Sequence, residues 1–373
     1  MKKHVSMMAA FVAVAACLTG CGEVGTSSGG SGKAQADCKA AASDAVDALR
    51  AVPELYIPDA AAKGAVAAGR SVWVVNLLSN DLTKNIDAGI KAAASALGME
   101  FHELNGNGTA QSANQALSAA LGAGADAIVT SGIDASIASN PLQKAKNAGV
   151  PVITILADDV DAPNDPLVYA DITLSADHVG KAWADYALHS TGCDLELGNV
   201  SLPASIPLSH EVGKVTENEI ARLCSACDVH TIEMDVANLA TGLPTQVQSM
   251  MKQHPGINYL AVGFDAAVPF AGPPAQRINK DVTLISANGL APNLQMISDG
   301  GVQDADMSFP PNDYIGWLAV HSVLAALSGT PRENLKIPMR LIDKTNIEDG
   351  DLTTLYPTYN GFQKAFEQAW GVG

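Results

Sequence analysis

The stretch SVWVVNLLSNDLTKNIDAGIKAAASALGMEFHEL, residues 71–104, decides the fold. Val72, Trp73, Val74 and Val75 make an apolar run rich in β-branched residues, which predicts a buried strand. Polar residues follow at Ser79, Asn80 and Asp81. Ile86, Ile90, Ala93, Ala94 and Leu97 then recur at helical spacing, and Gly98 closes the helix where a left-handed C-cap costs little. Residues 100–104 read as a second strand. Further out, Thr109 caps a helix with Ala113, Leu117, Ala120 and Leu121 on one face. Residues 125–130 (ADAIVT) form a third strand, Asn140-Pro141 opens a third helix that stops at Gly149, and residues 150–155 form a fourth strand. Strand and helix alternate over short connections, the pattern of a parallel sheet covered by helices on both faces.

Three segments carry a likeness to a known family: VNLLSNDLTKNIDAGIKAAASALG, ALGAGADAIVTSGIDAS and LQKAKNAGVPVITI. In this order and spacing they resemble the first lobe of the type I periplasmic binding proteins, the ribose-binding branch, and the resemblance covers residues 71–340. It implies an α/β fold of two doubly wound parallel-sheet lobes joined by a three-strand hinge. On that plan residues 167–170 are a fifth strand and residues 171–175 the first crossing between lobes. A helix over 177–190 follows, and the alternation restarts. Strands fall at 197–202, 229–234, 258–262, 281–286 and 302–307, with helices at 211–223, 241–253 and 291–299. Phe309-Pro310-Pro311 is the second crossing, the helix 313–327 returns to the first lobe, and residues 336–340 make the third crossing. The N-terminal lobe is thus 71–173 plus 310–336, and the C-terminal lobe with its tail is 174–309 plus 337–373.

The chain begins with Lys2 and Lys3, an apolar stretch over residues 7–18, and Leu18-Thr19-Gly20-Cys21. The apolar stretch is shorter than the ~20 residues of a membrane-spanning helix and reads as a secretion signal. Leu-Thr-Gly-Cys resembles a bacterial lipobox, which implies cleavage of residues 1–20, diacylation of Cys21 and anchoring on the outer face of the cell membrane. Residues 21–39 are expected to be a flexible tether, Gly/Ser-rich over 22–33. Gly25-Thr26-Ser27-Ser28-Gly29 formally matches the serine-hydrolase elbow but lacks the strand and helix that the elbow requires. Residues 40–70 are expected to form a partly helical leader, broken at Pro53 and Pro58 and packed on the first lobe.

The formal charge is −17. Cutting after residue 20 removes two lysines and no acid, leaving −19. That surface argues against nucleic acid and against adhesion to anionic lipid. Once Cys17 is cleaved and Cys21 lipidated, Cys38, Cys193, Cys224 and Cys227 remain, with three possible connectivities. A structural disulfide outside the cytoplasm is expected. A local Cys224–Cys227 pair and a bridge from Cys193 to either of them are both open.

In open α/β sheets, ligands bind beyond the carboxyl ends of the strands. The loops there supply the candidate ligand-binding residues Asn80, Asp81, Asp134, Asp158, His210, Phe264 and Asn288. Short acids and amides suit vicinal hydroxyls, and an aromatic ring suits the apolar face of a sugar. Several have competing structural roles: Asn80 and Asp81 as helix caps, Asp134 as a turn former, His210 as a solvated loop residue and Phe264 in lobe packing. Trp73, Trp183 and Trp317 read as core. Ribose-like family members carry two aromatics just after the asparagine that matches Asn80, where this chain has Leu82 and Thr83. They carry Asp-Arg after the fourth strand, where this chain has Leu156-Ala157 followed by Asp158 and Asp159. The family's second-lobe arginine falls near His210, its asparagine at Phe264 and its next aspartate at Asn288. The scaffold matches and the ligand set departs, so ribose itself is not expected. No arginine in these loops is placed to clamp a carboxylate or phosphate.

The resemblance therefore implies a monomeric solute-binding lipoprotein that delivers a small neutral sugar, polyol or related compound to ABC permease subunits. Alternatives are a ligand-sensing module for a signalling partner and a binder of a less polar, non-sugar solute. No metal or cofactor is expected. An enzyme is not expected either, because His210-Glu211 lacks the second histidine of H-E-x-x-H, and no P-loop lysine or Rossmann glycine triplet occurs. A DNA-binding repressor of this fold would need an N-terminal helix-turn-helix, which the lipobox and the acidic charge exclude. Cys21→Ala is expected to leave the protein unlipidated, as accumulated precursor or released soluble protein. Detergent-dependent membrane retention of that variant, seen by fractionation, would reject the lipobox reading.

Overall fold

The computed structural model describes residues 29–58, 64–163, 165–347, 355–356 and 359–372. The secretion signal, Cys21 and the first part of the expected tether lie outside the described residues.

The first series of strands is β1 (Ser71–Asn76), β2 (Glu100–Asn105), β3 (Ala127–Ser131), β4 (Val152–Ile155) and β5 (Ala170–Thr173). The second is β6 (Glu196–Ser201), β7 (Asp228–Glu233), β8 (Tyr259–Val262), β9 (Thr283–Ala287) and β10 (Gln303–Ser308), followed by β11 (Leu335–Lys336) and β12 (Arg340–Asp343). They form two six-stranded sheets, ordered β2-β1-β3-β4-β5-β11 and β7-β6-β8-β9-β10-β12. Every pairing is parallel except that of β12 with β10. The residues of β3, β4 and β8 are buried throughout, as strands covered on both faces must be.

The helices are α1 (Gly29–Leu49), α2 (Asp81–Ala96), α3 (Ala110–Gly122), α4 (Ala135–Ala148), α5 (Ala176–Thr191), α6 (Pro207–Leu223), α7 (Leu239–Gln253), α8 (Val268–Gln276), α9 (Ala291–Asp299) and α10 (Asp313–Leu327), with a last helix at Phe362–Trp370. None of them is long and apolar enough to cross a membrane. Among the described residues the chain passes from one sheet to the other three times: from β5 to α5, from β10 to α10, and from β11 to β12.

Local chemistry moves several expected boundaries. The fifth strand is Ala170–Thr173, not 167–170. Residues 166–169 are spent on a turn, in which Asp165 accepts the Leu167 N–H at 2.7 Å. The α4 helix starts at Ala135, capped by Asp134, six residues before Asn140; the backbone kinks at Ala138 and Pro141 lies inside. The α6 helix opens with Pro207 in its first turn, so His210 belongs to a helix and not to a loop. Three prolines over 268–276 concealed α8 in the sequence.

The leader differs more. A helix already runs from Gly29, inside the expected tether. Cys38, Ala42 and Val46 recur every four residues on its buried face. That face packs on α5, in the second lobe rather than the first. Two further links hold it there: a disulfide from Cys38 to Cys193, and Arg50, whose Nη2 lies 2.6 Å from the Asp343 carboxylate on β12. Cys224 pairs locally with Cys227. The alternative Cys193 bridge is thereby excluded, although both sulfurs lie 3.9 Å from the Cys193 carbonyl oxygen. The last helix, expected to follow the second lobe, packs instead on α10 of the first. There the Trp370 ring stacks on Trp317 at 5.2 Å.

The α10 helix leaves the second sheet and covers the first by crossing α2 backbone to backbone. A β-carbon on Gly316 would lie 2.4 Å from the Ile86 carbonyl oxygen, and one on Gly89 2.1 Å from that of Asp313. Neither helix has a side chain there to yield. Gly316→Ala is expected to cost roughly 1–3 kcal/mol or more, as overpacking does. Chemical denaturation would show a lower midpoint; a stability equal to the parent would refute the close crossing.

Candidate ligand-binding cleft

In both sheets the strand order reverses beside the first strand of the series, between β1 and β3 and between β6 and β8. Loops leaving such a switch point diverge and open a crevice. Here the two crevices combine into one cavity of about 140 Å³. The first lobe contributes Leu77, Leu78, Asn80, Leu82, Thr83, Ser131 and Leu156. The second contributes Trp183, Ile206, Leu208, Ser209, Val212, Val236, Phe264 and Asn288, and Phe309 comes from the second crossing. Among the described residues that line it, none carries a charge.

Two lining residues hold backbone conformations that side chains rarely adopt: Leu156 at φ 53° and Asn288 at φ 124°. Such strain, of order 1–3 kcal/mol at each position, persists only where the surroundings over-determine it. For Asn288 the surroundings are visible. Its N–H donates to the Met307 carbonyl at 3.3 Å, and its own carbonyl accepts from Asn312 at 3.2 Å. Two residues on, the Leu290 N–H donates to buried Asp265 at 2.7 Å. Asp265 also accepts from the Ser286 hydroxyl. Gln303 Nε2 donates to Ser286 at 2.8 Å and to Asp306 at 3.1 Å, and the Ser308 hydroxyl donates to Asp306 at 2.7 Å. Burial, then the neighbouring Asp306 charge, pushes the Asp265 carboxyl well above the usual carboxylate range.

Polar groups left for a ligand are few. The Asn288 side chain and the hydroxyls of Ser131 and Ser209 make no hydrogen bond to other described residues, and Trp183 Nε1 is buried without a partner. Asn80 serves two ends at once. Its side-chain oxygen caps α2 by accepting the Thr83 N–H at 3.0 Å, while Thr83 Oγ1 accepts the Asn80 N–H at 3.0 Å. Its amide nitrogen remains free for the cavity.

Of the seven candidate residues, Asn80, Phe264 and Asn288 meet in this cavity. Asp134 and Asp158 come together elsewhere, in a smaller cavity of about 30 Å³ with Asp165, Asp171 and Arg332. Burial, then the charges of Asp134, Asp159 and Asp165, raises the Asp158 carboxyl. Asp81 points to solvent, 3.3 Å from Lys84. The His210 ring lies on α6, with Nδ1 2.9 Å from the Leu202 carbonyl oxygen and 3.8 Å from Glu233. Trp183, read as core from its helical position, is both buried and a cavity wall. Its position in the second turn after the first crossing was the signal available. Leu156 and the leucines and valines around it carried no signal distinct from core.

A two-lobed clamp with a lined cavity at the facing strand ends defines the class: a protein that captures a small molecule between its lobes. A family model described as "Periplasmic binding protein domain" matches residues 71–331, and the chain belongs to that family. No curated protein matches the sequence. Among solved structures, an ABC transporter solute-binding protein from Agrobacterium vitis bound with α-D-tagatopyranose aligns at TM-score 0.67 and 18% identity, over 77% of this chain and 98% of that one. One from Burkholderia graminis in complex with D-arabinose aligns at 0.67 and 18%, over 76% and 98%. The fructose-binding periplasmic domain of a hybrid two-component system aligns at 0.66 and 16%, over 80% and 97%. At these identities they share the fold.

Asn288→Gly is expected to keep or raise the stability of the ligand-free protein, by about 1 kcal/mol, because glycine relieves the positive φ. Losing the amide is expected to weaken ligand binding by about 1–3 kcal/mol, or roughly five- to 150-fold. Unchanged affinity by calorimetry would remove Asn288 from the ligand contacts.

Proposed function

We propose that the protein is the solute-binding component of an ABC importer, exported and held to the outer face of the membrane through Cys21. It captures a small neutral solute between its lobes and presents it, as a monomer, to permease subunits. The observation that carries this reading is the charge-free cavity at the facing carboxyl ends of both sheets, walled by both lobes. A ligand shifts an open–closed balance only through its different affinity for the two states, so contacts from both lobes are what closure requires. Asn80, Phe264 and Asn288 are the proposed contacts, joined by Trp183. The sugar- and polyol-bound relatives of this fold support a sugar or polyol as ligand.

The lining favours a second reading, a less polar solute. Every sugar hydroxyl buried without a partner costs about 1–3 kcal/mol, and the free polar groups here are few. Hydrocarbon pressed on the leucines, Trp183 and Phe264 gains about 25 cal/mol per Å² of apolar surface removed from water. A thermal-shift panel of monosaccharides, polyols, nucleosides and small neutral aromatics separates the two readings, since a ligand raises Tm by mass action. Sugars or polyols alone raising Tm would support the first, and aromatics alone the second. Small-angle scattering should show a smaller radius with the hit bound. No response to any class, and no compaction, would reject the binding-protein reading of this cavity.

A further inference from the structure

We propose that Glu196, His230 and His254 form a divalent transition-metal site on the second lobe, remote from the ligand cleft. Among the described residues, theirs is the one trio of histidine, cysteine or carboxylate side chains whose donor atoms all lie within 4.8 Å of one another. Glu196 opens β6. His230 lies on neighbouring β7, where Asp228 stands opposite Glu196. His230, two residues beyond Asp228, therefore shares the face of Glu196. His254 is the C-cap of α7, with its N–H on the Met250 carbonyl. The trio gathers at the amino ends of β6 and β8, whereas the cleft lies at their carboxyl ends. All three side chains are half-buried, which limits their freedom without closing the site to an ion.

The chemistry matches the geometry. Two imidazoles and one carboxylate are a zinc set that leaves a fourth position open for water. At Zn–N and Zn–O bonds of about 2.0–2.2 Å, tetrahedral donors stand roughly 3.3 Å apart. His230 Nε2 and Glu196 Oε1 are already 3.0 Å apart. The His254 ring stacks on His230, with centroids 3.5 Å apart and planes 16° from parallel. Imidazole lone pairs lie in the ring plane, so two stacked rings cannot aim at one ion. Binding turns His254 out of the stack, a motion that its place at a helix end permits. Gly256 makes room for the carboxylate: a β-carbon there would sit 1.9 Å from Glu196 Oε2. The strongly negative surface raises the local concentration of cations. No sequence motif announces the trio, because its members lie on three separate elements.

The experiment is calorimetric titration of zinc chloride into the purified, chelator-treated and desalted protein. One equivalent should bind with a micromolar or tighter dissociation constant and raise Tm. Glu196→Gln, His230→Gln and His254→Gln should each weaken zinc binding roughly tenfold or more. His254→Gln is the decisive variant, since His254 caps a helix end outside the hydrophobic core, and its metal-free Tm should stay close to the parent's. Cobalt(II) should give the intense visible bands of a tetrahedral site in the parent and lose them in His254→Gln. Absence of saturable zinc binding would overturn the proposal. So would stoichiometric binding that survives in all three variants.

Discussion

Parallel strands joined by right-handed crossovers bring every loop that follows a strand to one edge of the sheet. The candidate cleft of this protein depends on that constraint, applied twice. The two sheets have the same internal order, so each presents its switch point, and the fold sets the two edges against each other. The cavity is the space that results. Its walls are the first residues past β1, β3, β4, β8, β9 and β10 and the early turns of α2, α5 and α6. The strained residues lie there for the same reason. Leu156 and Asn288 follow β4 and β9 directly, where the chain must leave the sheet abruptly.

Polar chemistry in the second lobe is placed behind the cavity wall rather than on it. Asp265, Ser286, Gln303, Asp306 and Ser308 satisfy one another out of contact with water and fix the 287–290 loop. A fully connected buried network of this kind rigidifies its surroundings, whereas one missing partner would leave a costly orphan. The surface that the cavity presents is therefore mostly hydrocarbon on a rigid backing, with hydrogen-bonding groups at a few points. Such pre-organisation lowers the ordering cost of binding.

The fold was legible because its signals are periodic and local. The β-branched run at Val72–Val75, the helical spacing from Ile86 to Leu97 and the ADAIVT strand each specify an element without tertiary help. Boundaries failed where a side-chain hydrogen bond outweighed propensity. Asp134 began a helix ahead of the Asn140-Pro141 signal, and Asp165 built a turn where alternation suggested a strand. The candidate cavity was half legible. Asn80, Phe264 and Asn288 follow strands and do meet, but Asp134 and Asp158 have the right chemistry and line a different cavity. Sequence position says which edge of a sheet a residue occupies, not which way its side chain turns. The apolar wall could not be foreseen, since a leucine facing a cleft and one facing a core look the same in sequence.

The attachment of α1 gives the two lobes different mechanical roles. Cys38 and Cys193 close a loop of 155 residues, worth about 5 kcal/mol in the chain-entropy account, and Arg50 adds an ion pair to β12. The segment entering from the amino terminus is thus welded to the second lobe, while the last helix rides on the first. Whatever restrains the amino terminus makes the second lobe the stator. The first lobe, free of that weld, becomes the rotor in any movement between the two.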